Sequence, residues 1–208
     1  MDILIPIVFP DYKVTIEFKE SEVDIFPWMK MDNFKTPSFK SKLSNLGHAG
    51  VLFINGRNGT SKYYEYGRYD PPENLGLVRK ARNLPNVRVS SAGIDFSTLK
   101  AALSSISKVS GDSGRIEGAY IEVSNKYNEM LQHAEHRKAQ NATASRKAYD
   151  TATNNCMHFV KEISEKAGVP TPWMVDPRPN SYISEFRSSF PDLDFKNGLL
   201  EIEGKGRY

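Results

Sequence analysis

The run Gly47-His48-Ala49-Gly50-Val51-Leu52-Phe53-Ile54, the polar pentad Asn55-Gly56-Arg57-Asn58-Gly59 and the tyrosine-rich stretch from Ser61 to Tyr69 decide the fold. Two β-prone runs separated by Asn-Gly predict an antiparallel hairpin, because those residues tolerate the positive φ of turns that match strand twist. Counted in pairs from the turn, facing residue numbers sum to about 113 or 114, which sets His48 opposite Glu65 or its neighbour. Small residues around His48 leave room for a second element to approach the imidazole.

Toward the N-terminus, Ile3 to Val8 and the alternating Val14-Thr15-Ile16-Glu17-Phe18 flank Pro10-Asp11, which predicts a strand, a turn and a strand. Residues about 20 to 45 carry Pro27, Pro37, Phe26, Trp28, Phe34 and Phe39 without a period and read as an irregular connector. Beyond the hairpin, Pro71-Pro72 ends the pairing and Val87 to Val89 is a short strand candidate. Helices are expected at Ser97 to Ser107, at Glu117 to Gln140 as a long amphipathic helix, and at about Cys156 to Ala167, closed by Gly168 and Pro170. A proline-rich tail and a short helix or turn near Ser181 to Phe190 follow. The expected class is α+β: an antiparallel sheet packed against a helix with cysteine at its N-terminus, in one domain spanning residues 1–208.

At 208 residues with 39% hydrophobic and 25% charged residues, the composition excludes a fibre or a disordered chain. Lys+Arg 28 against Asp+Glu 25 leaves +3, with no basic stripe, so nucleic acid is not an expected partner. The lone Cys156 excludes an internal disulfide framework and a cysteine-rich zinc site. The opening Met1 to Pro10 has no basic region and no small-residue cleavage site, and no apolar run reaches a membrane span of roughly 18 residues. The chain is therefore expected to be made in the cytoplasm without a signal peptide.

Cys156 follows Asn154-Asn155, a pair suited to cap a helix. A helix N-terminus favours a thiolate and offers a backbone donor to an oxyanion. Equally, Cys156, Phe159, Val160 and Ile163 fall on one helical stripe, as core residues would. Of the four histidines, His158 lies two residues past Cys156 and faces elsewhere, and His133 and His136 sit among Glu129 and Glu135 on a helix face. His48 remains as the base for the thiol, with Glu65 able to orient it. The competing reading of Glu65 is an exposed carboxylate paired with Arg57, Lys62 or Arg68.

Three segments together, Leu46-Gly47-His48-Ala49-Gly50-Val51, Tyr63-Tyr64-Glu65-Tyr66-Gly67-Arg68-Tyr69 and Asn155-Cys156-Met157-His158-Phe159-Val160, resemble the circularly permuted NlpC-type papain-fold superfamily, which includes lecithin-retinol acyltransferase-like proteins. With Pro6-Ile7-Val8-Phe9-Pro10 early and Pro177-Arg178-Pro179-Asn180-Ser181-Tyr182 late, the chain further resembles antibacterial type VI secretion effectors of the TseH kind. The resemblance implies Cys156 as nucleophile, His48 as general base and Glu65 as the residue that orients His48, a position that varies in the superfamily. It implies no metal and no organic cofactor. It also implies a cysteine amidase or endopeptidase acting on peptide amides of bacterial peptidoglycan, with a cognate immunity protein, a type VI carrier and export into the target-cell periplasm. Two alternatives stay open: a lipid-directed thiol esterase or acyltransferase, with Phe26, Trp28, Met29 and Met31 lining an apolar groove, and a non-enzymatic binding module.

Overall fold

A computed structural model describes residues 1–18, 39–43, 47–70 and 74–208. Most of the expected connector, with Phe26, Trp28, Met29, Met31 and Phe34, lies outside the described residues. Its last part does not read as irregular: β3 (Phe39–Leu43) pairs with β2 (Val14–Phe18) in a two-stranded antiparallel sheet.

The main sheet has nine antiparallel strands. Running inward from one edge are β6 (Leu77–Lys80), β5 (Ser61–Gly67), β4 (His48–Ile54) and β1 (Asp2–Phe9). The two expected strands form but lie in different sheets: β1 pairs with β4, Phe9 opposite His48. Every residue of β1 is buried, which explains its unbroken apolar run: Ile3, Ile5 and Ile7 face one layer of helix while Leu4 and Val8 face the other. The short hairpin β7 (Val89–Ser90) and β8 (Gly93–Ile94) precedes α1 (Phe96–Ser110), which starts at an Asp95 cap.

The segment expected as one helix from Glu117 to Gln140 divides into β9 (Ile116–Ala119), β10 (Ile121–Val123) and α2 (Tyr127–Ala139). Both strands lie along the far side of β1, with Ile7 opposite Gly118 and Leu4 opposite Ile121. The gap between them falls beside Ile5 and Pro6, where proline lacks the N–H needed to continue the ladder. Gly118 permits the approach, since a Cβ there would meet the Pro6 carbonyl oxygen at 2.5 Å. Asn125, in the left-handed region at φ 55°, turns the chain into α2.

After α2, a 3-10 turn (Gln140–Ala142) and a loop lead to α3 (Cys156–Lys166) and α4 (Pro179–Arg187). Three further strands, β11 (Asp192–Lys196), β12 (Leu199–Ile202) and β13 (Gly206–Arg207), extend the sheet beyond β9. They escaped the sequence reading although Asn197-Gly198, both at positive φ, marks the β11–β12 turn. Helix α1 buries Leu99, Ala102, Leu103 and Ile106 on one sheet face, while α2, α3 and α4 cover the other. Among the described residues no helix is long and apolar enough to cross a membrane.

Candidate functional site

Cys156 begins α3 because Asn155 caps it. The Asn155 Oδ1 accepts hydrogen bonds from the N–H groups of Met157 at 2.9 Å and His158 at 3.1 Å. Its Nδ2 donates to the carbonyls of Thr151 at 2.7 Å and Pro177 at 2.9 Å, tying the helix start to the segments on either side. With those first-turn donors occupied, Tyr149 packs against the cluster that holds Cys156, and both the thiol and the backbone N–H of Cys156 bear on the titration of its hydroxyl. The thiol is 4% exposed and belongs to the apolar cluster with Met157, Phe159 and Val160. Cys156 thus meets the core expectation while its sulfur also faces polar groups.

His48 begins β4 at the sheet end nearest that helix start. Gly47 before it has φ 73°, and a Cβ there would lie 2.2 Å from Asn180 Oδ1, so α4 supplies the close neighbour expected of this small-residue segment. The imidazole is buried beside Phe9 and Tyr12, with ring centroids 6.2 and 5.4 Å away. Its Nε2 stands 3.2 Å from Glu65 Oε2 and 2.9 Å from the Tyr69 hydroxyl. The hairpin register differs from the expected one: Glu65 pairs with Gly50. His48 and Glu65 still share a sheet face and meet diagonally, because Gly50 between them has no side chain. A Cβ at Gly50 would sit 2.2 Å from the Tyr63 hydroxyl, which instead donates to Glu65 Oε2 at 3.2 Å. The expected surface pairing of Glu65 with Arg57, Lys62 or Arg68 is absent among the described residues; the one arginine near it is Arg79, with Nε 4.0 Å from Oε1.

The electrostatics follow from this packing. Burial pushes the His48 pKa down, but hydrogen bonds to the Cys156 sulfur and to Glu65, with their charges, raise it to about 10. Burial works against the Glu65 carboxylate, yet hydrogen bonds from His48 and Ser110 and the Arg79 charge hold its pKa below the ordinary value. Tyr69 and Tyr149 are both pushed up, first by burial and then by nearby anionic groups, so each hydroxyl keeps its proton at neutral pH. The arrangement can move a proton between sulfur and imidazole and can present an N–H and a hydroxyl to negative charge forming beside the sulfur.

The other histidines serve the scaffold. His158 completes the cap, its Nδ1 2.9 Å from Asn155 Oδ1, and burial lowers its pKa. His133 Nε2 lies 3.1 Å from Glu162 Oε2, joining α2 to α3, and His136 contacts Gln140. Among the described residues no group of three or more His, Cys, Asp and Glu side chains is placed to hold a metal ion. A cavity of about 440 Å³ lies on the other side of the α3 start, reaching Asn154, His158 and Tyr66 but not Cys156 or His48. Its arginines are committed, Arg146 to Asp70 at 2.8 Å and Arg137 to Glu162.

Tyr63, Tyr69 and Tyr149 were missed as site residues. Alternation along the strand from Glu65 points to Tyr63 on one side and, past Gly67, to Tyr69 on the other. Tyr149 lies in an irregular segment and carries no local signal.

The comparisons agree with this geometry in fold. The family model described as type VI secretion system effector TseH-like matches residues 4–168. The crystal structure of the type VI secretion system effector TseH superposes with a TM-score of 0.75 at 31% identity, covering 97% of each chain. No curated protein matches the chain. A family-model match over most of the length, joined to a solved-structure match at 31% identity over 97% of each chain, shows that the chain belongs to the TseH-like family of type VI secretion effectors.

Proposed function

We propose that this effector is a cysteine hydrolase that cleaves peptide amides of bacterial peptidoglycan, with Cys156 as nucleophile, His48 as general base and acid, and Glu65 orienting His48. The observation that carries the reading is that the buried His48 imidazole, held 3.2 Å from the Glu65 carboxylate, has its pKa raised by the neighbouring Cys156 sulfur at the start of α3. The histidine hairpin preceding the cysteine helix supports a permuted papain-like arrangement.

Nε2 is turned to Glu65 and Tyr69, so Nδ1 is the ring nitrogen left for the sulfur. The thiol proton passes to Nδ1, and the sulfur attacks the carbonyl carbon of the amide. Negative charge on the carbonyl oxygen is met by the Cys156 N–H and the Tyr149 hydroxyl. As the C–N bond breaks, the imidazolium protonates the departing amine, leaving a thioester. His48 then takes a proton from water, hydroxide adds to the thioester, and the acid departs as the thiol is restored. Membership in the effector family supports export by a type VI system and a cognate immunity protein as partners. The lipid-directed alternative rests on the likeness of Asn155-Cys156-Met157-His158-Phe159-Val160 to the cysteine motif of the lecithin-retinol acyltransferase-like group, and the residues expected to line its apolar groove, Phe26, Trp28, Met29 and Met31, lie outside the described residues.

The test is growth of a bacterium expressing the chain in its periplasm, as wild type, Cys156→Ala and His48→Ala, with analysis of its wall fragments and lipids. Lysis with new peptide fragments in the wild type alone is expected. Equal toxicity in all three would return Cys156 to a packing role, and released fatty acid in place of wall fragments would move the substrate to lipid.

A further inference from the structure

Two exposed arginines lie near the candidate site, each laid over a tyrosine packed close to the reacting pair. Arg79 Cζ lies 4.4 Å from the ring centroid of Tyr69, whose hydroxyl is 2.9 Å from His48 Nε2. Arg68 Cζ lies 5.2 Å from the ring centroid of Tyr149, which packs against the cluster that contains Cys156. One guanidinium therefore marks the histidine side and the other the cysteine side. Both are exposed, Arg79 with 53% of its side chain open to solvent.

Among the described residues their donors are less committed than those of other arginines. Arg146, Arg137 and Arg187 are tied to carboxylates, Arg146 to Asp70 and Arg187 to Asp192 at 2.8 and 2.7 Å. Arg68 forms no ion pair among the described residues, and Arg79 reaches only the far oxygen of Glu65, at 4.0 Å. A guanidinium stacked on an aromatic ring keeps its in-plane N–H fork free, and that fork matches a carboxylate in two parallel hydrogen bonds. Fixed in orientation by the rings, such forks lose little freedom on binding.

We infer that Arg68 and Arg79 form a carboxylate-recognition pair near the candidate site, so that the preferred substrate carries a free carboxylate beside the scissile amide. The inference rests on the hydrolase reading above and narrows its substrate class to acidic peptides. Lysine at either position keeps the charge but loses the fork, so Arg→Lys recovers only part of the preference.

The experiment uses a soluble disaccharide-peptide fragment of peptidoglycan with free carboxylates and the same fragment with its carboxylates amidated. Wild type is expected to favour the acid form by about tenfold or more in kcat/KM, mainly through KM, and less so as salt rises. Arg68→Gln and Arg79→Gln, checked for wild-type melting temperature, should each shrink that ratio severalfold by raising KM for the acid form. Equal cleavage of both fragments by wild type, or variants that lower kcat on both alike, would overturn the inference and leave the arginines as props for Tyr69 and Tyr149. No cleavage of either fragment would remove the hydrolase reading and the inference with it. Arginine-dependent hydrolysis of anionic phospholipid vesicles would overturn it in favour of a lipid phosphate.

Discussion

His48 and Glu65 meet diagonally across the β4–β5 ladder, with Nε2 and Oε2 3.2 Å apart, over the bare backbone of Gly50. The glycine is what makes the contact possible: any side chain there would occupy the space through which the Tyr63 hydroxyl reaches Glu65. Gly50→Ala should therefore push Tyr63 and Glu65 away from His48. The expected result is a loss of about 1–3 kcal/mol, as for other overpacked cores, together with a fall in turnover. Chemical denaturation of the variant checks the first and cleavage of isolated peptidoglycan the second; an unchanged midpoint would mean that Tyr63 swings aside freely.

The raised His48 pKa depends first on the Cys156 sulfur among the groups that raise it. Removing the sulfur in Cys156→Ala leaves burial opposed by Glu65 alone. The imidazole pKa should then fall clearly from about 10 toward its ordinary value of 6.5, read by NMR titration of the ring protons. A His48 that titrates identically in both proteins would show that the sulfur and ring do not interact.

Stability should depend on pH through the same pair, with opposite signs at the two ends. His48 has a raised folded pKa, so its contribution is fully present below pH 6.5 and is lost as pH rises through about 10. Glu65 has a lowered one, so its contribution is present above the ordinary carboxylate value of 4.5 and is lost as pH falls through the folded value. Melting temperatures of wild type and His48→Gln should converge as pH rises from 6.5 to about 10, and those of wild type and Glu65→Gln as pH falls below 4.5. Differences that stay constant across both ranges would contradict these assignments.

How far the site was legible depends on how local each signal is. The Asn155 cap, the Cys156 helix and the hairpin turn are written in a few adjacent residues, and the structure places them where the spacing predicts. The segment from Glu117 to Val123 misled because a short buried strand and a buried helix face carry the same apolar residues; pairing along β1 and the break at Pro6 decide between them. The exact hairpin register was out of reach because the six residues between Ile54 and Ser61 can close a turn in more than one way. Tyr149 was invisible for a different reason: its approach to Cys156 is made by the loop leading into α3, which no periodicity governs.

Asn155 offers the sharpest separation of fold from chemistry. Its side chain receives two first-turn N–H groups and gives two hydrogen bonds, to Thr151 and Pro177, so Asn155→Ala removes the cap and both tethers. The cost should be about 1–2 kcal/mol in unfolding free energy. Asn155→Asp keeps the accepting oxygen for the cap but loses the donors to Thr151 and Pro177, and it sets a negative charge beside the sulfur. That variant should hold most of the helix stability while lowering turnover, because the added charge opposes a developing anion at Cys156. Denaturation midpoints and cleavage rates measured on both variants check this. If Asn155→Asp cleaves peptidoglycan as fast as wild type, negative charge does not build up at the start of α3 during the reaction, and the oxyanion must form elsewhere.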